Sequence, residues 1–364
     1  MRELTVDLGD RSYPIYFGEG LIQQAGQLFT KHGITSKSPL LIVTDEHVAP
    51  HYLSNLESAF AASGYRTASY IVPAGEKSKS LSQLEEIVTV ALEAGLDRSS
   101  TVIALGGGVV GDLAGFVAAS YMRGVKFVQI PTTILAHDSS VGGKVGVNHV
   151  LAKNIIGAFH QPEMVLYDLN TLRSLPYREI VAGLSEMIKH GLIWDAEFIA
   201  WLDEHTQHLL TLEPEALSYG LYQGCNVKSI VVSRDEREND LRAILNLGHT
   251  IGHALEAVSG YNELLHGEAI SIGMVGSAKL AVHLGYDASI YHETKRILSK
   301  FGLPTQIPTH LNVDQIMNAM MHDKKFKEGS MVFVVPIAIG QVEILKDVSA
   351  QLVRQVVMEL KEDV

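Results

Sequence analysis

Short apolar runs alternate with amphipathic, helix-like stretches through the first half of the chain. Apolar runs at residues 39–45, 68–72, 101–105 and 127–130 predict buried strands, and residues 1–7 alternate as a strand does. Helical patterns cover residues 47–63 and 81–94, and a third follows residue 105 and ends near residue 121. Strands that alternate with helices predict right-handed βαβ units and a mainly parallel sheet.

The pattern changes near residue 175, where long helical segments begin to dominate. We therefore predict an α/β, Rossmann-like domain with a mainly parallel sheet over residues 1–175, which would bind ligands at the carboxyl ends of its strands. A mostly α-helical domain is predicted over residues 176–364. Its predicted helices are 177–191, 214–233, 246–259, 267–285 and 289–301, and runs at 331–335 and 342–345 predict a hairpin around Gly340.

Composition narrows the possible partners. The net charge is −12 over 364 residues, which argues against nucleic acid because phosphate-backbone binding needs a basic face. A small anionic substrate stays possible, since lysines can make a local positive site in an acidic protein. The apolar run from Thr101 is interrupted by Asp112 and Arg123, so no membrane partner is expected. A single cysteine, Cys225, and a start without the pattern of a signal peptide favour the cytoplasm.

A glycine turn follows the predicted strand at 101–105. Residues 106–112, Gly-Gly-Gly-Val-Val-Gly-Asp, satisfy G-x-G-x-x-G and open a helix, an arrangement that lets backbone N–H groups approach a pyrophosphate. The alternative is a turn used only for tight packing of the helix on the strand. Other predicted strands also end in polar groups, namely Asp45, residues 73–79 and the pair Thr132 and Thr133. Together these strand ends favour a nucleotide site.

Histidines and carboxylates cluster in the helical half. His249 and His253 are four residues apart and share a helix face, His266 and Glu268 begin a predicted helix, and Glu186, Lys189 and His190 share another face. Two histidines with a carboxylate are typical ligands of a catalytic divalent ion. Since the chain has 16 histidines, each cluster alone can equally be structural. Spacing does not decide which three residues bind.

Basic residues recur in settings that are otherwise small or apolar. They are Lys144, which ends the loop 138–144, then Lys189, Lys228 and Arg242, and the pair Lys324 and Lys325. Arg242 and Asn246 would face the same way as His249 and His253 if that helix extended back far enough. These residues either improve surface solubility or neutralise a substrate that carries phosphate and carboxylate.

These motifs together resemble the 3-dehydroquinate synthase family of sugar phosphate cyclases, in the family's order over about residues 40–330. The segments that carry the resemblance are Gly75–Lys79, Gly106–Asp112, Tyr121–Gly124, Pro131–Thr133, Asp138–Lys144, Lys153-Asn154, Ala182–Lys189, Arg242–Glu256 and His266–Glu268. One departure is visible. The segment 134–137 is one residue shorter than in many members, which leaves the pose of Asp138 and the role of His137 open.

The resemblance implies specific residue roles. Glu186, His249 and His266 would bind a divalent metal, Zn²⁺ or Co²⁺, and His253 would be catalytic. NAD contacts would come from Asp45, Gly75, Glu76, Lys79, Gly108, Val109, Gly111, Asp112, Thr132, Thr133, Lys144, Lys153, Thr171, Leu172 and Ser174. Substrate contacts would come from Arg123, Asp138, Lys144, Asn154, Lys189, Lys228, Arg242, Asn246, His253 and one of Lys324 and Lys325.

The resemblance also implies a reaction and an assembly. The substrate would be 3-deoxy-D-arabino-heptulosonate 7-phosphate, a sugar-acid phosphate that loses phosphate and closes into 3-dehydroquinate in the shikimate pathway, with NAD oxidising and later reducing the same carbon. A homodimer is expected. Three alternatives stay open: a related cyclase acting on glucose 6-phosphate or sedoheptulose 7-phosphate, a metal-dependent polyol dehydrogenase, and a non-catalytic NAD sensor.

Overall fold

The computed structural model describes residues 1–238, 240–260, 263–321, 326–327 and 330–362. The chain divides into two compact units, one made of Met1–Leu175 with Pro214–Ser233 and the other of Pro176–Glu213 with Arg234–Val364. Residues 214–233, which the sequence assigned to the second domain, are therefore grouped with the first unit. The domain boundary at residue 175 stays a prediction.

The first unit is built on a mainly parallel sheet, as predicted. Within the described residues the sheet has seven strands in the order β1-β2-β9-β6-β5-β3-β4, and only β1 runs antiparallel to its neighbour. A separate antiparallel pair, β7 and β8, was not predicted. The strands are β1 (Arg2–Val6), β2 (Tyr13–Gly18), β3 (Leu40–Asp45), β4 (Thr67–Val72), β5 (Thr101–Gly106), β6 (Lys126–Pro131), β7 (Lys144–His149), β8 (Ala152–Phe159) and β9 (Met164–Asp168).

Helices connect these strands and then dominate the second unit. In chain order they are α1 (Leu21–Lys31), α2 (Ala49–Ala62), α3 (Leu81–Glu93), α4 (Gly108–Ser120), α5 (Ala136–Ser139), α6 (Tyr177–Trp194), α7 (Ala196–Glu204), α8 (Thr206–Leu210), α9 (Pro214–Arg234), α10 (His249–Val258), α11 (His266–His283), α12 (Ala288–Lys300), α13 (Val313–Met321) and α14 (Ala350–Glu362). Short strands β10 (Phe326–Lys327), β11 (Ser330–Ala338) and β12 (Gln341–Val348) complete the second unit, and β11 pairs with β12 in the predicted hairpin.

Both faces of the parallel sheet are covered. Ile42 and Ile103 pack into a cluster with Phe60 of α2, and their neighbours Val43 and Val102 pack into another on the opposite face. Strands buried on both faces are continuously apolar rather than alternating. This is why residues 39–45 and 101–105 are recognisable as strands from the sequence.

The strand order places a switch point between β3 and β5. The chain passes from β3 outward to β4, returns to β5 on the other side of β3, and then continues through β6 toward β9. In parallel sheets of this kind, ligands bind in the crevice outside the carboxyl ends of the strands at such a point. Asp45 ends β3 and the glycine turn follows β5, so both lie at this edge.

Close backbone approaches define the core of the second unit. A Cβ at Gly267 would clash with the Ala182 carbonyl of α6, and one at Gly273 would clash with the Gly248 carbonyl. Glycine at these positions lets α11 lie against α6 and against the start of α10. The three helices that carry the predicted metal ligands are therefore held together by close backbone packing.

One helix boundary was predicted wrongly. The helix expected over residues 246–259 begins only at His249, after a separate 3-10 helix at Leu241–Asn246. Gly248 between them has φ +80°, a left-handed conformation that interrupts a right-handed helix. Arg242 and Asn246 consequently do not share a continuous helix face with His249 and His253.

Candidate functional site

The geometry of the glycine turn in the first unit is compatible with both explanations offered for it, helix packing and anion binding. A Cβ at Gly106 would lie 2.7 Å from the Val110 Cβ, and one at Gly111 would lie 3.0 Å from the Gln129 Oε1, so packing accounts for these two glycines. At Gly108 the nearest obstacle is the Ser139 hydroxyl, at 3.2 Å. Gly108 begins α4, whose first-turn N–H groups lack acceptors within the helix and form a natural anion site.

Hydroxyl groups next to the turn complete this edge of the sheet. Thr132 follows β6 and is 2% exposed, and its Oγ1 has no hydrogen-bond partner among the described residues. Buried hydroxyls in proteins are nearly always paired, so this oxygen suits a bound ligand. Thr133 Oγ1 accepts a hydrogen bond from Ala136 N at 3.2 Å.

Asp45 and the Thr171–Ser174 segment lie at the ends of other strands of this sheet. Asp45 Oδ1 accepts hydrogen bonds from His47 N at 2.8 Å and Val48 N at 3.0 Å, which fixes the carboxylate at the end of β3. Thr171 Oγ1 donates to Asp168 O at 2.7 Å, so that hydroxyl already has a structural role. Leu172 is fully buried.

A charged network links the segment after β4 with α4 and the β7–β8 hairpin. Lys79 is 5% exposed, and its Nζ lies 2.6 Å from Asp112 Oδ2 and 2.5 Å from Asn154 Oδ1. Asn148 adds a second link, since its Nδ2 donates to Glu76 Oε1 at 2.7 Å and its Oδ1 accepts from Asn154 N at 2.8 Å. The structure thus brings together Lys79, Glu76, Asp112 and Asn154, four residues predicted from the resemblance.

Other predicted residues of the first unit differ in exposure. Lys228 of α9 lies 2.8 Å from Asp138 Oδ2 and is buried, whereas Lys144, at the start of β7, is exposed. Arg123 is exposed and has φ +68°, a conformation that non-glycine residues rarely adopt. Lys153 and Val109 are half-buried and Gly75 is exposed. His137 is fully buried, and its Nδ1 lies 2.7 Å from Ile134 O, which indicates a structural role.

The predicted metal ligands converge in the second unit. Glu186 of α6, His249 at the start of α10 and His266 at the start of α11 offer ligand atoms that all lie within 4.8 Å of one another. Glu186 is 1% exposed, and its Oε1 lies 3.6 Å from His266 Nε2. Two imidazoles and a carboxylate at this spacing form the ligand set of a catalytic zinc site, so these residues fit a divalent ion.

Both imidazoles of this set are oriented through their second nitrogen. His249 Nδ1 lies 3.1 Å from Leu247 O, and His266 Nδ1 lies 3.2 Å from Glu256 Oε2. Because both partners are acceptors, each Nδ1 donates a proton to its partner, so each Nε2 would present its lone pair to a bound ion. This is the usual arrangement of histidines that bind metals.

The electrostatics of the cluster favour a cation. Burial lowers the pKa of His266, but hydrogen bonds to Glu186 and Glu256 and the charges of both carboxylates outweigh this effect and raise the pKa to about 10. Lys189 also forms an ion pair with Glu186, and both side chains are 1% exposed. A divalent ion bound here would displace the proton that His266 otherwise holds.

A second possible ligand set overlaps the first. His253, Glu256 and His266 also offer ligand atoms within 4.8 Å of one another, and the His249 and His253 rings are 5.1 Å apart. Spacing did not decide which three residues bind the metal. Among the described residues of this unit, the structure leaves two possible ligand sets. Glu256 was not assigned a role from the sequence, although its spacing from His249 and His253 puts it on the same face of α10.

Two further predicted residues that the structure describes in the second unit are Arg242 and Asn246. Arg242 is 2% exposed, and its Nη1 donates to Glu236 O at 2.5 Å. Asn246 ends the 3-10 helix before α10 and is half-buried. Lys324 and Lys325 fall outside the described residues. Asn148, which hydrogen-bonds to the predicted residues Glu76, Lys79 and Asn154 in the first unit, had no signal in the sequence because the β7–β8 hairpin was not predicted.

Comparison with known proteins identifies the class to which this chain belongs. Family models described as 3-dehydroquinate synthase N-terminal and C-terminal match residues 69–182 and 183–326. A 3-dehydroquinate synthase from Desulforamulus reducens is 49% identical over 350 residues, which cover 96% of this chain and 97% of that protein. The chain belongs to the 3-dehydroquinate synthase family. It is an enzyme of this lyase type, which confirms the main functional prediction.

Solved structures agree with this assignment. A 2-deoxy-scyllo-inosose synthase complexed with carbaglucose-6-phosphate, NAD⁺ and Co²⁺ superposes with a TM-score of 0.90 at 25% identity, covering 98% of this chain and 99% of that one. A 2-epi-5-epi-valiolone synthase from Streptomyces hygroscopicus with NAD⁺ and Zn²⁺ bound gives 0.87 at 26% identity, with 98% and 99% covered. Separately, none of the described helices combines the length and apolar character needed to span a membrane.

Proposed function

We propose that this chain converts 3-deoxy-D-arabino-heptulosonate 7-phosphate into 3-dehydroquinate and phosphate, using catalytic NAD and one divalent metal ion. The observation that carries the proposal is the convergence of Glu186, His249 and His266 within 4.8 Å. The high identity to a curated 3-dehydroquinate synthase over nearly the whole chain supports the substrate.

The metal would be held by Glu186 and by the Nε2 atoms of His249 and His266. A bound divalent ion supplies Lewis-acid polarisation of an alcohol or ketone oxygen. The protein contributes the orientation of the ligands, since Leu247 O and Glu256 engage the two Nδ1 atoms. Zn²⁺ and Co²⁺ both suit imidazole and carboxylate ligands, and each occurs in one of the related structures.

The nucleotide would occupy the switch-point edge of the first unit. Bound NAD supplies a reversible hydride acceptor. The first turn of α4 would bind the pyrophosphate, Asp45 would accept hydrogen bonds from ribose hydroxyls, and the buried Thr132 hydroxyl would gain the partner it lacks among the described residues. The remaining contacts that the resemblance implies would complete this site, among them Lys79 and Asp112, which pair with each other.

The substrate's carboxylate and phosphate would be neutralised by Lys144, Lys189, Lys228 and Arg242. Three of these side chains are buried, and buried cations in proteins need a compensating negative partner. Asp138 and Glu186 form ion pairs with Lys228 and Lys189. His253, beside His249, is proposed to transfer a proton near the metal.

The proposed setting is the cytosol, and the proposed assembly is a homodimer. The single buried cysteine, Cys225, suits a reducing compartment. Light scattering coupled to size-exclusion chromatography measures the assembly directly: a particle of twice the chain mass supports the dimer, and one of a single chain mass contradicts it.

The decisive experiment mixes the purified, Co²⁺-loaded protein with the heptulosonate phosphate and NAD at a small fraction of the substrate concentration. We expect one phosphate released per substrate with no net absorbance from NADH, because NAD is regenerated in each turnover. Accumulation of NADH with a polyol would instead indicate a dehydrogenase. Turnover of glucose 6-phosphate or sedoheptulose 7-phosphate, with none of the heptulosonate phosphate, would indicate a different cyclase.

A further inference from the structure

Glu256 lies beside the proposed metal ligands without belonging to them. It follows His249 and His253 on one face of α10, and its side chain is 11% exposed. Its Oε2 lies 3.2 Å from His266 Nδ1, while His266 Nε2 lies 3.6 Å from Glu186 Oε1. One imidazole is thus held between two carboxylates, one at each ring nitrogen.

The two nitrogens of a neutral imidazole have opposite roles, one carrying the proton and the other a lone pair. An ionised carboxylate only accepts hydrogen bonds, so Glu256 selects the state in which His266 Nδ1 carries the proton. A bound ion would therefore take the place of the proton on Nε2, the nitrogen that lies 3.6 Å from Glu186 Oε1, while Nδ1–H stays bonded to Glu256. The hydrogen bond also fixes the ring about its χ angles.

We propose that Glu256 is a positioning residue that holds His266 in the tautomer and orientation required for metal binding through Nε2. The inference rests on the proposed metal site and adds to it a residue that acts through His266. Partners of this kind typically contribute about 10- to 100-fold to metal affinity.

The competing explanation makes Glu256 a ligand, with His253 and His266 as the other two. His266 would then use Nδ1, and its hydrogen bond to Glu256 would be lost. His249 argues against this arrangement. Its Nδ1 is engaged by Leu247 O at 3.1 Å, so His249 and His266 both present Nε2 and are prepared in the same way for one ion, next to Glu186.

Three variants separate the two explanations: Glu256→Ala, Glu256→Gln and Glu186→Gln. The Co²⁺ dissociation constant is measured by competition with a chromophoric chelator, and the visible d–d spectrum of bound Co²⁺ reports the ligand set. We expect Glu256→Ala to weaken Co²⁺ binding about 10- to 100-fold with the wild-type type of spectrum. Glu256→Gln keeps an acceptor oxygen for Nδ1–H and should recover most of that loss. Glu186→Gln should lose the wild-type spectrum.

The outcomes that contradict the proposal are distinct. If Glu256→Ala binds Co²⁺ as tightly as the wild type, or if Glu256→Gln is as weak as Glu256→Ala, Glu256 does not set the tautomer. A changed spectrum in Glu256→Gln together with an unchanged one in Glu186→Gln would make Glu256 a ligand. A lowered Tm in a metal-free variant would identify a folding defect. A positioning role instead predicts a metal-free Tm near that of the wild type and a smaller rise in Tm when Co²⁺ is added. A wild-type protein that binds no Co²⁺ would instead refute the proposed metal site itself.

Discussion

The two candidate sites of this protein are built in different ways. The nucleotide edge of the first unit is made by topology: strands β3, β5 and β6 end side by side, and backbone groups and small residues form its surface. The metal cluster of the second unit is made by side chains, because Glu186, His249 and His266 project from three helices toward one point.

This difference decides how each site responds to substitution. A backbone cradle tolerates the loss of one side chain because its N–H groups remain. A three-ligand metal site does not, since each ligand is a third of the coordination that the protein supplies. A single substitution of a metal ligand should therefore abolish metal binding, whereas a single substitution at the nucleotide site should only weaken NAD binding.

The largest expected effect follows removal of one metal ligand. His249→Ala should reduce bound metal to background and lower turnover about 1,000-fold or more, because Lewis-acid stabilisation of several kcal/mol is lost. Metal analysis by plasma emission and phosphate-release assays measure both quantities. NAD affinity, measured by calorimetry, should stay near the wild-type value because the glycine turn and Asp45 belong to the other unit.

His253→Ala is the matched control for this prediction. It removes an imidazole one helical turn away that is proposed to move a proton rather than bind metal. It should keep metal content and lose turnover. If His253→Ala loses the metal and His249→Ala retains it, the ligand assignment is wrong.

The next effect concerns the paired charges of the nucleotide edge. Lys79→Met leaves Asp112, 23% exposed, without the ammonium that lies 2.6 Å away. Unfolding free energy should fall by about 1–3 kcal/mol, the cost of an unsatisfied polar group. Denaturant titration measures the loss, and NAD affinity should also fall because Lys79 is a proposed cofactor contact.

The double variant Lys79→Met/Asp112→Asn distinguishes a role of this ion pair in fold stability from a role in NAD binding. It removes the uncompensated charge and should recover most of the stability. NAD affinity should stay low, since both proposed contacts are altered. Full recovery of NAD binding together with stability would show that the pair only supports the fold, and the contrast between the two sites would then be weaker than proposed.

The same contrast explains what the sequence could predict. The buried strands and the helices were recognisable because their apolar patterns reflect local geometry, and the family motifs named Glu186, His249 and His266 as ligands. Helix periodicity also put His249 and His253 on one face of α10, but Glu256 was not singled out, because its role depends on His266, which comes from a different helix.

Two features of the structure were not predicted because they depend on contacts between residues distant in sequence or on a single backbone dihedral angle. The left-handed conformation of Gly248 separates Arg242 and Asn246 from α10, and helical periodicity alone gave no sign of it. The β7–β8 hairpin has a half-exposed outer strand with the pattern of a loop. Asn148, which connects that hairpin to Glu76 and bonds to Asn154 within it, was consequently missed.

The smallest expected effect concerns the ion pair between Arg178 and Glu268. It tests whether a contact with an exposed partner affects metal binding as much as the buried contact of Glu256 does. Arg178 Nε and Nη2 each lie 2.6 Å from a Glu268 carboxylate oxygen, but Arg178 is 54% exposed. Glu268 itself is only 12% exposed, and a bidentate pair contributes more than the usual value of about 0–1 kcal/mol for an exposed one, so Arg178→Ala should lower the unfolding free energy by about 1 kcal/mol and leave Co²⁺ affinity unchanged. Glu268→Ala is the sharper companion, because Glu268 Oε2 also accepts from Leu265 N at 2.9 Å at the start of α11, and the lost cap should cost about 0.5–2 kcal/mol. If Arg178→Ala weakened Co²⁺ binding as much as Glu256→Ala, the greater burial of Glu256 would not explain its effect on the metal site.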